Sequence, residues 1–275
     1  MTPTLVVAAL WLLFGGTHIG LASKSVRGRL VARLGEMGFT ALFYLVAATS
    51  FAWLIAYYAA HRFEGVPGLA LAGVPALRWG LMIAVVAGLM LSVPALAVYP
   101  RLPMALFEQP IREPRGIERI TRHPFFAGTA LLALAHALLA THAVGAVFFG
   151  GLALLAILGA RHQDGKLLAR RGRAYADYLA ATSAVPFAAI VAGRQRLVWN
   201  ELPMVGLGLG LALALALRHW HDALFADGGA WIIGAFLGGS LIAGGNAWRR
   251  ARRVRASASS SVRPGARSSS VARHG

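Results

Sequence analysis

Long stretches that hold almost no charged residue recur along this sequence, and they constrain its fold more than any other feature. A helix of about 20 apolar residues crosses the ~30 Å hydrocarbon core of a bilayer. Seven stretches approach or reach that length: Thr4–Ala22, Phe39–Ala60, Leu77–Val98, Phe125–Leu139, Ala143–Gly159, Leu202–Leu217 and Gly229–Gly245. The fourth, fifth and sixth are the shorter ones. We therefore predict an all-α, polytopic transmembrane helix bundle of about six to seven spans.

The charged residues support this division of the chain. Only 13% of the residues are charged, about half the usual share in a soluble domain. All ten carboxylates fall between the apolar stretches, which is expected because a charge at the bilayer centre costs at least ~2.5 kcal/mol. The first stretch lacks a preceding basic segment, so we expect it to stay in the protein and not to be a cleaved signal peptide.

The net charge of +17 would suit a nucleic-acid-binding protein until the basic residues are placed on the chain. Of the 27 Lys and Arg residues, 24 fall in alternate connections and the tail, and the opposite connections hold only Arg62, Arg78 and Arg218. Cytoplasmic loops of membrane proteins collect positive charge. We therefore expect a lipid bilayer and no nucleic acid as partner, with the amino terminus outside and the carboxyl terminus in the cytoplasm.

Two segments outside the spans have distinctive compositions. Residues Gln163–Ala181 predict an amphipathic helix along the cytoplasmic face, with Leu167, Tyr175 and Tyr178 among its apolar and aromatic positions. Residues 249–275 are rich in Ser and Arg and hold too little apolar surface to fold, so we predict a basic disordered cytoplasmic tail. The transmembrane domain is then 1–248.

Cysteine is absent, which excludes disulfides, thiolate-bound metals and thiol catalysis. Histidine is the remaining chemical signal, and His18 and His136 lie within apolar stretches. A polar side chain inside a bundle is either a helix–helix hydrogen-bonding group or a functional site. The residues alone leave these two readings equal.

In the functional reading, two imidazoles from facing helices take both axial positions of a haem iron. Their nitrogens must then approach within about 4 Å, so the two residues need similar depths. His18 lies roughly 6 Å from the inner end of its span, His123 at the inner end of the fourth span, and His136 about 20 Å further along. His123 therefore matches His18 better in depth. The helix turns by about 140° between His123 and His136, so both cannot point toward one iron. They therefore compete for the same axial position.

Several segments together resemble a known family. They are Gly-Thr-His-Ile-Gly20, the basic Arg27–Glu36, His61-Arg-Phe-Glu-Gly65, Arg122-His-Pro-Phe-Phe-Ala-Gly128, Leu134-Ala-His136 and the block from Leu168 to Phe187. Over residues 5–196 the chain resembles the NnrU family of bacterial membrane proteins, which are associated with denitrification. That family is similar to the plant and cyanobacterial 15-cis-zeta-carotene isomerases.

The resemblance implies a haem b protein of the bacterial inner membrane. It implies His18 and His136 as axial ligands, with His123 in reserve and His61 as a weaker fourth. For activity, it implies either redox-gated cis–trans isomerisation of a hydrophobic polyene or a role in nitrogen-oxide metabolism with a membrane redox partner. One departure concerns the substrate, because the isomerases have a Trp between the two histidines of the fourth span, where this chain has Leu132 or Ala133.

Two other classes of function fit the same residues. Arg122-His123-Pro124 followed by Tyr175 and Tyr178 also resembles the membrane methyltransferases that use S-adenosylmethionine on isoprenylated cysteine or phospholipid headgroups. Those enzymes carry a paired Glu-Glu, whereas this chain keeps one carboxylate, Asp164. A non-enzymatic assembly factor for a reductase is the third class. Whether the protein is an enzyme stays open at this point.

Overall fold

The computed structural model describes residues 2–98, 111–239 and 241. Residues 2–230 form one compact unit, and a second unit begins at Trp231, where 231–239 are helical. Helices account for all the long elements of the described residues. The α-helices are α1 (Thr2–Ala22), α2 (Lys24–His61), α3 (Pro75–Val98), α4 (Ile117–Ile120), α5 (Pro124–Leu139), α6 (Ala143–Arg171), α7 (Arg173–Ala181), α8 (Ala188–Val191) and α9 (Met204–His219).

The predicted helical membrane bundle is confirmed. Four helices in the described part of the chain, α1, α2, α3 and α6, are long and apolar enough to cross a membrane. The apolar helices α5 and α9 are shorter, at 16 residues each, or about 24 Å. The seventh predicted stretch is described only as far as 239 and at 241. The basic tail at 249–275 lies outside the described residues.

The second span is longer than predicted, because the basic segment before it is also helical. Helix α2 begins at Lys24 and continues to His61, with a kink at Gly35, whose φ is 71°. A glycine adopts this backbone conformation at little cost. Basic residues do not oppose helix formation, so the charges of Arg27 and Arg33 marked the edge of the apolar region and not the start of the helix.

The amphipathic helix predicted over Gln163–Ala181 is present but shorter, and its buried aromatic residues Tyr175 and Tyr178 lie on α7. Residues as far as Arg171 continue α6, and α7 begins only at Arg173. Gly172 separates the two helices with a φ of 56°, in the region that favours glycine. The polar end of α6 therefore projects beyond its apolar part, and α7 turns away from it as a separate helix.

The long helices pack in a continuous series in which α2 contacts α1, α1 contacts α6, α6 contacts α5, α5 contacts α3 and α3 contacts α9. One end of the bundle, called here the His142 end, gathers the end of α2 and the start of α6, where the backbone of Pro67 pairs with that of His142. The opposite end, the Arg122 end, gathers the start of α5 and the helices α4, α7 and α8. The charge distribution predicts that the Arg122 end faces the cytoplasm.

Close backbone approach holds α3 against α5. At the crossing, a Cβ added to Gly128 would clash with the carbonyl of Gly88 and the hydroxyl of Ser92, and a Cβ added to Gly88 would lie 2.6 Å from the carbonyl of Gly128. Small residues of this kind let helices in a membrane approach closely. Helix α1 is joined to α6 differently, by a buried hydrogen bond of 3.0 Å from Nε1 of Trp11 to the carbonyl of Phe148.

Candidate functional site

His18 lies on α1 in an aromatic environment. Its ring centre is 4.9 Å from that of Phe43 and 5.4 Å from that of Phe14. Its Nδ1 atom is buried and has no hydrogen-bond partner among the described residues. Such a group is costly in an apolar interior, so His18 carries an unused ligand or hydrogen-bonding atom.

The surface of α1 beside His18 is open. A Cβ added to Gly15, Gly16 or Gly20 would meet no atom within 4 Å. Gly15, three residues before His18, lies on the same side of the helix, whereas Gly16 and Gly20, two residues away, face the other side. A flat apolar group can lie against backbone of this kind, because no side chain holds it away.

His136 lies on α5, with its Nδ1 donating a hydrogen bond of 2.9 Å to the carbonyl of Leu132. In the neutral imidazole, this leaves Nε2 with the lone pair that binds metals. The ring stacks on Phe149 of α6 at 4.7 Å. Its other neighbour is His221, whose ring centre is 6.3 Å away and whose plane is inclined by 15°.

The structure does not bring His18 and His136 together. His136 lies level with Phe149, next to Phe148, which accepts the hydrogen bond from Trp11. His18 follows Trp11 by seven residues toward the Arg122 end, which sets the two backbones about 10 Å apart in depth. Shared ligation of one iron by His18 and His136 stays a prediction.

His123, the reserve ligand, is committed to another partner. It precedes α5 directly, its side chain is 1% exposed, and its Nε2 lies 2.8 Å from Oδ1 of Asp164 on α6. The carboxylate takes Nε2, so a metal could reach His123 only through Nδ1. His61 is similarly placed beside a carboxylate, with Nδ1 3.0 Å from Oε2 of Glu64 at the His142 end.

Asp164 is the centre of a polar cluster that the sequence analysis did not predict. It also receives hydrogen bonds from Nη2 of Arg122 at 2.8 Å and from the hydroxyl of Tyr175 at 2.6 Å. Burial, followed by the hydrogen bond to Asp164, raises the pKa of Tyr175 far above its ordinary value of 10. The cluster therefore ties the start of α5, the polar end of α6 and α7 into one assembly.

Segment 183–187 completes this assembly from the other side. The backbone N–H of Arg122 donates to the carbonyl of Ser183, and that of Phe187 donates to the carbonyl of Ile120. The hydroxyl of Thr121 donates to the carbonyl of Ala184 at 2.9 Å. These hydrogen bonds hold the short apolar segment against the start of α5.

Two further ion pairs lie in the connections at the Arg122 end. Arg112 binds both oxygens of Glu118 at 2.7 and 3.0 Å, and burial raises the pKa of Glu118 despite this pairing and the N–H of Arg115. Arg119 donates a hydrogen bond to the carboxylate of Glu201, and so does the backbone N–H of Gly116. These two hydrogen bonds lower the pKa of Glu201 to about 2.

The residues around His18 and His136 differ in how well they suit a haem. His18 fits such a group, since its buried Nδ1 has no hydrogen-bond partner among the described residues and Gly15 leaves bare backbone on the same side of the helix. His136 offers a free Nε2, but at a different depth. The described residues contain no group of three or more His, Asp or Glu side chains able to hold a metal ion.

These features define a class: an all-α polytopic membrane protein with imidazoles placed between its helices and a polar cluster at one end. Within that class, the family described as NnrU protein matches residues 6–226. The chain therefore belongs to the NnrU family.

Two curated proteins are similar to it. One is the chloroplastic 15-cis-zeta-carotene isomerase of Arabidopsis thaliana, 32% identical over 198 residues, which cover 71% of this chain and 53% of that protein. The other is the chloroplastic 15-cis-zeta-carotene isomerase of Zea mays, 30% identical over 194 residues, covering 70% and 52%. The chain thus spans about half the length of these relatives. No solved structure matches it.

Proposed function

We propose that this protein binds haem b in a bacterial inner membrane and catalyses the redox-gated cis–trans isomerisation of a hydrophobic polyene. The observation that carries the proposal is the buried Nδ1 of His18, which has no hydrogen-bond partner in the described part of the chain, in a chain similar to two carotene isomerases. A buried imidazole with no protein partner is costly in an apolar bundle, and binding iron would give that nitrogen a partner.

The roles of the residues follow from their positions. His18 holds the iron from α1, and Phe14 and Phe43 keep its ring in place. Gly15, on the same side of α1, leaves room beside the ring. His136 supplies a second imidazole from α5. When bound, haem supplies a reversible change of oxidation state and a coordination position at which a double bond can be activated.

The surroundings suit a polyene. The two aromatic rings next to His18 and the apolar faces of α1 and α2 provide a hydrophobic environment that a carotenoid can enter from the bilayer. In the proposed reaction the iron activates the double bond, so the proposal assigns no proton donor or nucleophile to the site. This agrees with the absence of a catalytic carboxylate from the apolar stretches.

A role in nitrogen-oxide metabolism with a membrane redox partner is the second proposal, and it is favoured by membership of the NnrU family. The same haem would serve it. The methyltransferase and assembly-factor alternatives gain no such support. In particular, Arg122 and His123, which a methyltransferase would use for its cofactor, are both bonded to Asp164.

The test combines a spectrum with an isomer assay. The protein is purified in detergent from haem-replete cells and its visible spectrum is recorded. It is then expressed in cells that accumulate 15-cis-zeta-carotene and kept in the dark, and the isomers are separated by chromatography. We expect a Soret band and conversion to the trans form, both lost in His18→Ala and retained in His219→Ala. A colourless protein overturns haem binding, and a coloured protein without conversion overturns the isomerase proposal alone.

A further inference from the structure

Three large apolar side chains are exposed in and just before the short helix α8. Val185, Phe187 and Val191 are 64%, 48% and 87% exposed, and they are called here the Phe187 surface. The opposite side of the same segment is packed against the protein, since Ala189 is fully buried. Clustered apolar side chains that the fold leaves uncovered mark a contact with a membrane or with another protein.

The backbone holds the Phe187 surface outward. Phe187 has a φ of 63°, in the left-handed region that a bulky residue rarely adopts. Its N–H donates to the carbonyl of Ile120 at 2.8 Å, and its carbonyl accepts from the N–H of Val191 at 2.9 Å. The second bond closes one helical turn, so Phe187 and Val191 lie on the same side of α8. A strained backbone of this kind persists only where the surrounding structure fixes it, so the exposure of Phe187 is a property of the fold.

The Phe187 surface lies level with the start of α5. Its segment is bonded to the residues just before that helix, because the N–H of Arg122 donates to the carbonyl of Ser183 and the N–H of Phe187 to that of Ile120. Helix α5 has 16 residues, or about 24 Å, which is about 6 Å less than the ~30 Å hydrocarbon core. The acyl chains therefore extend beyond α5, and an apolar segment bonded to its start is well placed to meet them.

The charge of the same segment favours an anionic surface. Between Asp177 and Glu201 the chain holds Arg194 and Arg196 and no carboxylate. Arg194 donates to two backbone carbonyls at the end of α7, which are neutral groups and leave its positive charge in place. Arg196 is exposed, and so is Trp199, at 71%, a residue type that is enriched at membrane interfaces. Anionic lipids of the cytoplasmic leaflet attract basic residues near the membrane surface.

We infer that the Phe187 surface inserts into the membrane leaflet at the Arg122 end, and that Arg194 and Arg196 bind the phosphate groups of anionic phospholipids beside it. Apolar side chains next to guanidinium groups are the combination with which interfacial segments hold anionic lipid. A protein partner would explain the exposed apolar groups but not their position level with the end of an apolar helix. The contact involves neither His18 nor His136, so it is independent of the proposed haem site.

The depth of the Phe187 surface is measured with a spin label. The sequence contains no cysteine, so one introduced cysteine carries a nitroxide at a single defined position. Val191→Cys is labelled in the full chain and reconstituted into nanodiscs of phosphatidylglycerol. Power saturation in electron paramagnetic resonance then compares the access of oxygen, which enters the membrane, with that of nickel ethylenediaminediacetate, which stays in water. We expect oxygen access to exceed nickel access at 191. The control Asp177→Cys, at a side chain of α7 that is 67% exposed, should show the reverse.

The contribution of anionic headgroups is tested with the same label. Arg196→Gln, or nanodiscs of phosphatidylcholine in place of phosphatidylglycerol, should raise nickel access at 191, because each basic residue near an anionic surface strengthens binding by about fivefold. The control Arg218→Gln, at the other end of α9, should leave nickel access at 191 unchanged.

Three outcomes contradict the inference. Nickel access at 191 that matches the Asp177→Cys control would overturn the insertion itself. Equal nickel access at 191 in both lipids and in Arg196→Gln would overturn the role of anionic headgroups. Low access of both reagents, together with dipolar coupling between the labels of two copies in one nanodisc, would show that a second copy of the chain covers the Phe187 surface and would overturn the lipid contact.

Discussion

Oδ1 of Asp164, near the polar end of α6, lies 2.8 Å from Nε2 of His123 at the start of α5. The same carboxylate also binds Arg122 and Tyr175. This one side chain therefore connects two long helices and the short helix α7 at the Arg122 end. Buried charges are stable only when they are paired in this way, so the cluster is a structural fixture of that end.

We predict that Asp164→Asn destabilises the protein by about 3 kcal/mol, because it leaves a half-buried Arg122 without its carboxylate and weakens the bonds to His123 and Tyr175. Thermal unfolding in detergent measures this. The control is Asp177→Asn, which removes an ion pair with Arg173 whose side chains are 67% and 91% exposed and should cost less than about 0.5 kcal/mol. Equal effects of the two substitutions would contradict the assigned role.

The crossing of α3 and α5 gives a second prediction. In Gly128→Ala the new methyl group would clash with the carbonyl of Gly88 and the hydroxyl of Ser92, so the helices must move apart at a cost of about 1–3 kcal/mol. The control is Gly150→Ala on α6, where the methyl group would meet nothing within 4 Å. That variant should unfold at the wild-type temperature or slightly above it, since Ala favours a helix over Gly.

The ion pair of Arg119 and Glu201 predicts a defined pH dependence. The hydrogen bond from Arg119, with that of Gly116, lowers the pKa of Glu201 to about 2 from the ordinary value of 4.5. A carboxyl group whose pKa is lower in the folded than in the unfolded protein stabilises the fold fully at a pH above its unfolded pKa. That contribution is lost as the pH falls toward its folded pKa.

Unfolding of the wild type and Glu201→Gln should therefore be compared between pH 7 and pH 2. The stability difference between them should be constant above about pH 5 and should shrink as the pH falls toward 2. A difference that stays constant down to pH 2, or one that already shrinks above pH 5, would show that Glu201 is not held by this pair.

The sequence predicted the helices that cross the membrane because their cause is local. The apolar residues of a segment such as α1 place it in the hydrocarbon core. There a helix lets every backbone N–H and C=O form a hydrogen bond within the segment. The second apolar stretch begins at Phe39, whereas α2 begins at Lys24. Charged residues mark the edge of the membrane but do not determine where a helix starts. The prediction also missed the break at Gly172, because a glycine ends a helix only in some contexts.

The site was less predictable for the same physical reason. His18 and His136 were recognised because each is a polar residue in an apolar run. The pairing of Arg122 with Asp164, and the approach of His221 to His136, depend on how distant helices pack. In the sequence, His221 has the features of a solvent-exposed histidine at the end of a span. No neighbouring residue indicates that the turn after α9 lies beside α5.

The unpartnered nitrogen of His18 gives the last prediction. Replacing a buried polar group that has no partner by an apolar group of similar shape is neutral or stabilising, and the neighbouring Phe14 and Phe43 suit another aromatic ring. We expect His18→Phe to raise the stability of the haem-free protein by up to about 1 kcal/mol while abolishing haem binding at α1. His136→Phe should instead lower stability by about 0.6 kcal/mol, because it removes the hydrogen bond to Leu132. Thermal unfolding of both variants, prepared without haem, checks this, and a less stable His18→Phe would mean that Nδ1 already has a partner in the folded protein.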